Sequence, residues 1–225
     1  NVHRSAINAL VVCGAIPVYV NPGVNNDLGI PLGMTPEEVE AAILANPDAK
    51  AVLVNNPTYY GICSDLRKIV EMKVLVDEAH GTHFYFGDGL PPSAMSCGAD
   101  MASVSVHKTG GSLTQSAILL LGKGIDPNYV RQIINLTQTT SASYLLMVSL
   151  DLARQNLALH GREFYAKTVE FADYARKEIN AIGGYYAFGE ELCDGKAFYA
   201  FDRTKLSVHT RAMGLAGIEV YDLLR

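Results

Sequence analysis

The sequence has 225 residues, 49% of them hydrophobic, and a formal net charge of −5. This is enough material for a packed core in one domain and part of a second. The mild acidity without a basic stretch argues against a nucleic-acid-binding protein, and the lack of an apolar run of about 18 residues argues against a membrane-spanning helix. The four cysteines are scattered without metal-site or redox spacing, and we expect no signal peptide from the first residues. We therefore expect free thiols in a cytoplasmic protein.

Hydrophobic periodicity and capping residues predict alternating helices and strands, which indicates an α/β fold. Thr35–Glu38 reads as a capping box with proline at the first helical position, and Asp126-Pro127 starts another helix in a similar way. The predicted helices are Arg4–Cys13, Thr35 to about Ala45, Ser64 to about Glu71, Asp126 to about Leu136, Ala142–Leu159, Arg162–Ile182 and a last one beginning at Gly217. The predicted strands are Ala15–Val20, Ala49–Val54, Val74–Val76, Ala102–Val106, Gln115–Leu121, Tyr185–Phe188 and Ala197–Phe201.

Two of these strands are followed directly by reactive side chains. Asp77 follows Val74–Val76, and His107 and Lys108 follow Ala102–Val106. Ligands of an open α/β sheet bind at the carboxyl ends of its strands, so we expect a carboxylate and an amine in one crevice. This pattern is typical of a pyridoxal phosphate (PLP) enzyme. Lys108 would be linked covalently to the cofactor, and Asp77 would pair with its pyridinium nitrogen.

Several segments resemble one family in particular. They are D-E-A-H-G-T-H-F from Asp77, S-V-H-K-T-G-G-S-L-T-Q-S from Ser105, N-V-H-R-S at the start, N-N-P-T-Y-Y-G at Asn55–Gly61, T-T-S-A-S-Y-L-L at Thr139–Leu146 and D-R-T-K-L-S at Asp202–Ser207. In this order they resemble the Orn/Lys/Arg decarboxylases, bacterial PLP enzymes of the aspartate-aminotransferase-like fold (fold type I). The resemblance covers nearly the whole chain.

The resemblance implies an α/β large domain at residues 1–183, with a mostly parallel sheet flanked by helices. Residues 184–225 would begin a smaller carboxyl-terminal α+β domain. The family pattern would place an earlier part of the large domain before residue 1 and much of the small domain after residue 225. The stretches Glu71–Val74 and Cys193–Lys196 are shorter than this pattern implies.

The resemblance also assigns residues around the cofactor ring. Ala79 would pack on one face of the PLP ring, and His3 would stack on the opposite face. Thr139 and Thr140, with Ser141, would reach the cofactor phosphate of a neighbouring subunit. A helix-capping role before Ala142 is an equal alternative for these hydroxyl side chains.

Three more residues are candidates for cofactor contacts. Strand alternation places Ser105 and His107 on one side, opposite Val104 and Val106, so they would point toward the phosphate or the covalent link. His107 is also a candidate proton donor to the substrate α-carbon. His80 is either a supporting group of the cofactor site or a structural residue.

The reaction that the resemblance implies is α-decarboxylation of a basic amino acid to the amine that feeds polyamine biosynthesis. The protein would be a carboxy-lyase acting on arginine, lysine or ornithine, with arginine favoured by the compact bacterial form that the chain resembles. We expect a homodimer or a larger homo-oligomer, because the apolar segment Ala142–Leu159 exceeds what a monomer should expose.

Other interpretations of the same residues are weaker. D-E-A-H also names a helicase class, but the phosphate-binding loop of such enzymes is lacking in the sequence. His80 and His83 with Asp77 could suggest a metal site, although glycine lies between the histidines. Another fold type I enzyme, such as an aminotransferase or an aldolase, would share Asp77 and Lys108 and is the main alternative.

Overall fold

The computed structural model describes residues 2–70 and 73–225 as alternating helices and strands. The helices are α1 (Arg4–Cys13), α2 (Pro36–Ala45), α3 (Leu66–Ile69), α4 (Val106–Thr109), α5 (Pro127–Thr137), α6 (Tyr144–Ile182) and α7 (Gly217–Leu224), with 3-10 turns at Thr82–Tyr85, Glu190–Leu192 and Arg211–Met213. The strands are β1 (Val24–Asn25), β2 (Ile30–Pro31), β3 (Val52–Asn55), β4 (Ile62–Cys63), β5 (Val74–Asp77), β6 (Met101–Val104), β7 (Ile118–Leu121), β8 (Tyr186–Ala187), β9 (Ala200–Phe201) and β10 (Val208–His209). Within these described ranges, no helix combines the length and apolar character that crossing a membrane requires.

The central sheet has the strand order β3-β5-β6-β7. β3, β5 and β6 run parallel, and the outermost strand, β7, is antiparallel to β6. The expectation of a mostly parallel sheet is therefore confirmed. In the parallel part, Asn55 pairs with Asp77 and Asp77 pairs with Ser103. This register places the ends of three strands, and the residues that follow them, at one edge of the sheet.

The main hydrophobic core lies on the central sheet. Val54, Val74, Val76 and Ala102 are buried there, packed with side chains from α2 and α3. β5 alternates between fully and partly buried residues, as a strand with one tightly packed face does. This core fixes the position of β5 and β6, which precede the predicted site residues.

A second hydrophobic cluster joins distant parts of the chain. It is formed by Ile30, Ile62, Phe188, Phe198 and Phe201. β4 and β9 pair antiparallel within it, with Ile62 opposite Phe201. This pairing places the turn that follows β9 near the carboxyl edge of the central sheet. The domain division after residue 183 stays a prediction.

One helix of 39 residues, α6, replaces the two helices predicted at Ala142–Leu159 and Arg162–Ile182. Ser143 caps its start by accepting a hydrogen bond from the Leu146 amide. Gly161 does not interrupt the helix. It is buried where an added Cβ would lie 2.8 Å from the Cβ of Phe86, so this glycine allows α6 to approach the neighbouring segment closely.

Other predicted elements also differ from the structure. Residues 15–20 form no strand, because they pair with no neighbouring strand among the described residues, and most of them are exposed. Instead, β1 and β2 form a small hairpin in the segment predicted as loop. Helix α3 is only one turn long, and Glu71, its predicted end, lies outside the described residues. The predicted bounds of α1 are confirmed, and those of α2 and α5 agree within one residue.

Candidate active site

Asp77 is the last residue of β5 and lies half-buried at the carboxyl edge of the sheet. Its backbone carbonyl accepts hydrogen bonds from the Asn56 amide at 3.0 Å and from Asn55 Nδ2 at 3.1 Å. Its Oδ1 accepts a hydrogen bond from the Ala79 amide at 3.2 Å. These contacts hold the backbone of Asp77 and aim its carboxylate beyond the strand end.

Lys108 lies on α4, the single helical turn that follows β6 at the same edge. Its amide donates to the Ser105 carbonyl at 3.0 Å, so the chain turns into a helix at the end of the strand. Gly110 is tightly enclosed, since an added Cβ would lie 2.6 Å from Val106 Cγ1, and Gly111 has a φ of +87°. These glycines allow the turn that presents the exposed Lys108 side chain.

His80 connects Lys108 to a second lysine. Lys108 Nζ lies 3.4 Å from His80 Nε2, and Lys205 Nζ lies 3.3 Å from His80 Nδ1. Tyr59 borders this group, with its ring in edge contact with His80 and 5.8 Å from the Lys205 ammonium. A carboxylate, an imidazole and two amines are therefore gathered near the carboxyl edge of the sheet.

Burial and the two neighbouring amines keep His80 uncharged. Burial, followed by the charges of Lys205 and Lys108, lowers the pKa of His80 to about 4. A neutral imidazole has one N–H donor and one acceptor nitrogen, so it can accept a hydrogen bond from only one of the two lysines. The other amine faces the ring N–H and needs a different partner for its own hydrogens.

A buried polar cluster fixes the segment that carries Lys205. His83 Nε2 and Asp202 Oδ2 are 2.8 Å apart, and both side chains are almost completely buried. Thr204 donates its hydroxyl to Asp202 Oδ1 at 2.7 Å. Tyr165 of α6 packs against His83 and donates its hydroxyl to the Thr109 carbonyl at 2.7 Å. The cluster therefore links the turns on which His80, Lys108 and Lys205 are placed.

Glu78 is completely buried next to Asp77. It accepts hydrogen bonds from the Tyr85 hydroxyl at 2.5 Å and from the Ala94 amide at 2.8 Å. Burial raises the pKa of Glu78 to about 7, although these two hydrogen bonds act in the opposite direction. Glu78 therefore fixes the loop between β5 and β6 from the protein interior, whereas the Asp77 side chain remains partly exposed at the carboxyl end of β5.

Ser105 and His107 are not on a strand. β6 ends at Val104 and α4 begins at Val106, so the predicted strand alternation of these residues is wrong. The main-chain turn arises because the Ser105 carbonyl accepts the Lys108 amide. His107 Nδ1 is 2.8 Å from the Ser116 carbonyl, which fixes the ring against the segment before β7.

Three residues predicted near the cofactor, His3, Thr139 and Thr140, lie at exposed positions beside the ends of helices. His3 is exposed and caps α1 by accepting from the Ser5 amide at 3.2 Å. The Thr139 hydroxyl accepts a hydrogen bond from the Ser141 amide at 3.1 Å. Thr139 and Thr140 are both exposed in the segment before α6. Within one chain, no described contact joins His3, Thr139 or Thr140 to Lys108. Their cofactor roles stay predictions, as do those of Ala79, Ser105 and His107.

The metal interpretation has no support in this arrangement. His80 faces two lysines, whereas His83 faces Asp202, so the two histidines have different partners. In residues 2–70 and 73–225 no group of three or more histidine, cysteine or acidic side chains is suitably placed to hold a metal ion.

Some residues of the site could not be found by sequence reasoning. Lys205 and Asp202 lie in the D-R-T-K-L-S segment, which carries the family resemblance but no predicted role. Glu78 and His83 lie in D-E-A-H-G-T-H-F, in which the pattern predicts cofactor roles for Asp77, Ala79 and His80 instead. Only their burial and their partners across the fold distinguish them.

The sheet topology, with parallel strands flanked by helices, is that of the PLP-dependent transferase-like fold (fold type I). Solved structures with this fold include the lysine decarboxylase LdcF of Francisella novicida, with a TM-score of 0.75 and 21% identity over 87% of this chain and 31% of that one. The constitutive lysine decarboxylase of Escherichia coli gives a TM-score of 0.69 and 20% identity over 92% of this chain and 34% of that one.

The chain belongs to the Orn/Lys/Arg decarboxylase family, because the model of the family's major domain matches residues 1–210. It is 47% identical to an arginine decarboxylase of Bacillus subtilis and 49% identical to one of Halalkalibacterium halodurans. Both similarities cover 100% of this chain and 47% of the relative. The chain thus spans about half the length of these relatives.

Proposed function

We propose that the protein catalyses PLP-dependent α-decarboxylation of a basic amino acid, with arginine as the first candidate and lysine and ornithine as the others. The observation that carries this proposal is the contact between Lys108 and His80. His80 follows Asp77 by three residues, so the contact brings the amine and the carboxylate to the same end of the sheet. The names of the relatives from Bacillus subtilis and Halalkalibacterium halodurans, both arginine decarboxylases, support arginine. The amine product would feed polyamine biosynthesis in the cytoplasm, and the four unpaired cysteines are consistent with that compartment.

The residues at this edge fit PLP. Lys108 supplies an accessible amine for the covalent link to the cofactor aldehyde. Within the described residues, the Asp77 carboxylate accepts one hydrogen bond, from the Ala79 amide, which leaves an oxygen for a ring nitrogen. Ala79 is small enough to allow a ring to pack on it. PLP, when bound, delocalises the electron pair that remains on the α-carbon after CO₂ departs.

The chain's own residues would orient the substrate and control protons. The reaction breaks the bond between the α-carbon and the carboxyl carbon, CO₂ leaves, and a proton is added to the α-carbon to give the amine. Asp77 would hold a proton at the ring nitrogen, which improves the ring as an electron acceptor. His107 donates its Nδ1–H to the Ser116 carbonyl, so Nε2 is the nitrogen that would first take up a proton and then, from the imidazolium, pass it to the α-carbon.

We also propose that the active protein is a homodimer or a multiple of it. Leu145, Leu152 and Leu159 recur every seven residues on α6 and are all exposed. A stripe with this spacing lies on one helix face and is typical of helix pairing. Thr139 and Thr140 precede α6, so such pairing would bring them toward a neighbouring subunit, where they could contact its cofactor phosphate.

A substrate panel tests the proposed reaction. The purified protein, supplied with PLP, is incubated with arginine, lysine, ornithine and, as a control, alanine. We expect equal amounts of CO₂ and the corresponding amine from one basic amino acid, and neither from alanine. An aminotransferase or an aldolase would share the Asp77 and Lys108 arrangement. A keto acid as the main product, with no CO₂ from any basic amino acid, would replace the decarboxylase proposal with the aminotransferase alternative.

A further inference from the structure

Lys205 reaches the candidate site from the far end of the chain. It follows β9, which pairs with β4, and its turn is fixed because Asp202 contacts the buried His83. Lys205 Nζ is 3.3 Å from His80 Nδ1, while Lys108 Nζ is 3.4 Å from the other nitrogen of the same ring. The fold therefore builds a second amine into the site, separated from Lys108 by one imidazole.

Lys205 is a partly buried cation with an incomplete set of partners. Asp202, the acidic group nearest to it in sequence, uses Oδ2 for His83 and Oδ1 for Thr204. No carboxylate lies within ion-pair distance of Lys205 in the part of the chain that the structure describes. Burial lowers the pKa of Lys205; the charge of Asp202 opposes this in part, and the charge of Lys108 acts in the same direction as burial. A bound anion would compensate this unfavourable environment.

We propose that Lys205 binds the α-carboxylate of the amino-acid substrate. The inference rests on the proposed function, in which the substrate's α-amino group takes the position of the Lys108 amine on the cofactor. The carboxylate is attached to the carbon next to that amino group, so it must lie within a few bonds of the Lys108 position. Lys205 is the additional cation held beside that position, on the other side of His80.

The chemistry of decarboxylation predicts how this contact affects the kinetics. The carboxylate loses its charge as it becomes CO₂, so an ammonium bound to it stabilises the substrate more than the transition state. Such an interaction tightens binding without raising kcat. Loss of Lys205 should therefore raise KM by about 10- to 100-fold, the range expected for a charge-assisted hydrogen bond. The kcat should stay within a few-fold or increase.

Binding without turnover gives a second readout. For an arginine-specific protein, the two ligands are 5-guanidinopentanoate, which keeps the carboxylate but lacks the α-amino group, and agmatine, which lacks the carboxylate. Calorimetric titration compares Lys205→Gln, Lys205→Arg and the exposed control Lys196→Gln with the unchanged protein. If lysine or ornithine is the substrate, the corresponding deamino acid and amine are used instead.

We expect Lys205→Gln to weaken binding of the carboxylate ligand by about 10- to 100-fold and to leave binding of the amine unchanged. Lys205→Arg should retain part of the carboxylate affinity, and Lys196→Gln all of it. Equal losses for both ligands, or no loss for either, would overturn the proposal. A fall in PLP affinity with unchanged carboxylate binding would overturn it in favour of a contact to the cofactor phosphate.

The two proposals fail separately. If the substrate panel gives no CO₂ but Lys205→Gln still selectively weakens the carboxylate ligand, the decarboxylase proposal is wrong and Lys205 remains a carboxylate-binding residue. If CO₂ is released and KM is unchanged in Lys205→Gln, the reaction stands and the role of Lys205 is wrong. Thermal unfolding of each variant shows whether a loss of binding reflects a loss of folded protein.

Discussion

His83 and Asp202, 119 residues apart in the sequence, meet in a completely buried contact of 2.8 Å between Nε2 and Oδ2. His83 follows His80 in the turn after β5, and Asp202 precedes Lys205 in the turn after β9. The contact therefore joins two distant parts of the sequence at the candidate site. Together with the buried pairing of β4 and β9, it fixes the position of Lys205 relative to His80.

Removal of His83 should destabilise the fold strongly. His83→Ala leaves the Asp202 carboxylate buried with one donor fewer, and we expect a loss of about 3 kcal/mol in the free energy of unfolding. The control Asp88→Ala removes an exposed partner of Arg162 and should cost less than about 1 kcal/mol. Urea unfolding measures both. If the losses from His83→Ala and Asp202→Asn simply add in the double variant, the two side chains do not interact directly.

Lys108→Ala should abolish the visible absorption of bound PLP, because the covalent link to the cofactor needs this amine. Borohydride reduction followed by mass spectrometry should attach PLP to the unchanged protein and to Lys123→Ala, an exposed lysine variant, but not to Lys108→Ala. Covalent PLP on the Lys108→Ala protein would identify another lysine as the attachment point, with Lys205 the first to test.

Asp77→Ala should separate cofactor attachment from turnover. The amine of Lys108 remains, so PLP should still be attached covalently. Turnover should fall by about 10²-fold or more, because the ring nitrogen loses the carboxylate that keeps it protonated. Asp48→Ala, at an exposed position on the loop before β3, serves as the control. Full activity of Asp77→Ala would exclude its electronic role.

Glu78 should make stability depend on pH in a defined window. Its pKa rises from 4.5 to about 7 in the folded protein. The folded state thus holds the proton more tightly than the unfolded state, so the stabilising contribution is complete below about pH 4.5 and is lost as pH rises to about 7. The loss amounts to about 3 kcal/mol.

Urea unfolding at several pH values tests this dependence. Glu78→Gln keeps an acceptor for the Ala94 amide and cannot ionise, so the difference from the unchanged protein should vary across this window. For Glu163→Gln, a substitution at an exposed position on α6, the free energy of unfolding should change with pH as it does in the wild-type protein. A constant difference between Glu78→Gln and the unchanged protein would show that Glu78 does not titrate there.

The sequence was sufficient to predict the local features of the fold. Thr35 forms the predicted capping box with Glu38, and Asp126 caps α5, because caps depend on residues only a few positions apart. The parallel strands β3 and β5 could be predicted as well, since buried strands read as β-branched runs. Asp77 and Lys108 were predicted at strand ends for the same reason.

Features that depend on distant parts of the chain were not predictable. Gly161 and Gly183 are the same residue type, yet only Gly183 ends the helix, because Gly161 is packed against Phe86. Likewise, Lys205 is one lysine among several in the sequence. It becomes a candidate site residue only because β9 pairs with β4 and places it beside His80.

The exposed leucine stripe of α6 should mediate self-association. The opposite face of this helix is already used, since Ala153, Leu157, Gly161 and Tyr165 are buried against the rest of the chain. Leu145, Leu152 and Leu159 remain 70%, 58% and 69% exposed, which is unfavourable for an isolated chain.

The double substitution Leu145→Glu and Leu152→Glu should convert a dimer into monomers, because the charges would be desolvated in the interface. Circular dichroism should show the helix retained, since both positions face solvent in the single chain. Ala158→Glu, which adds a charge at an exposed position of α6 away from the leucine stripe, is the control and should stay dimeric. Analytical ultracentrifugation gives the mass, and the activity of each fraction shows whether association is required. If the wild-type protein sediments as an active monomer, both the proposed dimer and the contribution of Thr139 and Thr140 to a neighbouring subunit's site are wrong.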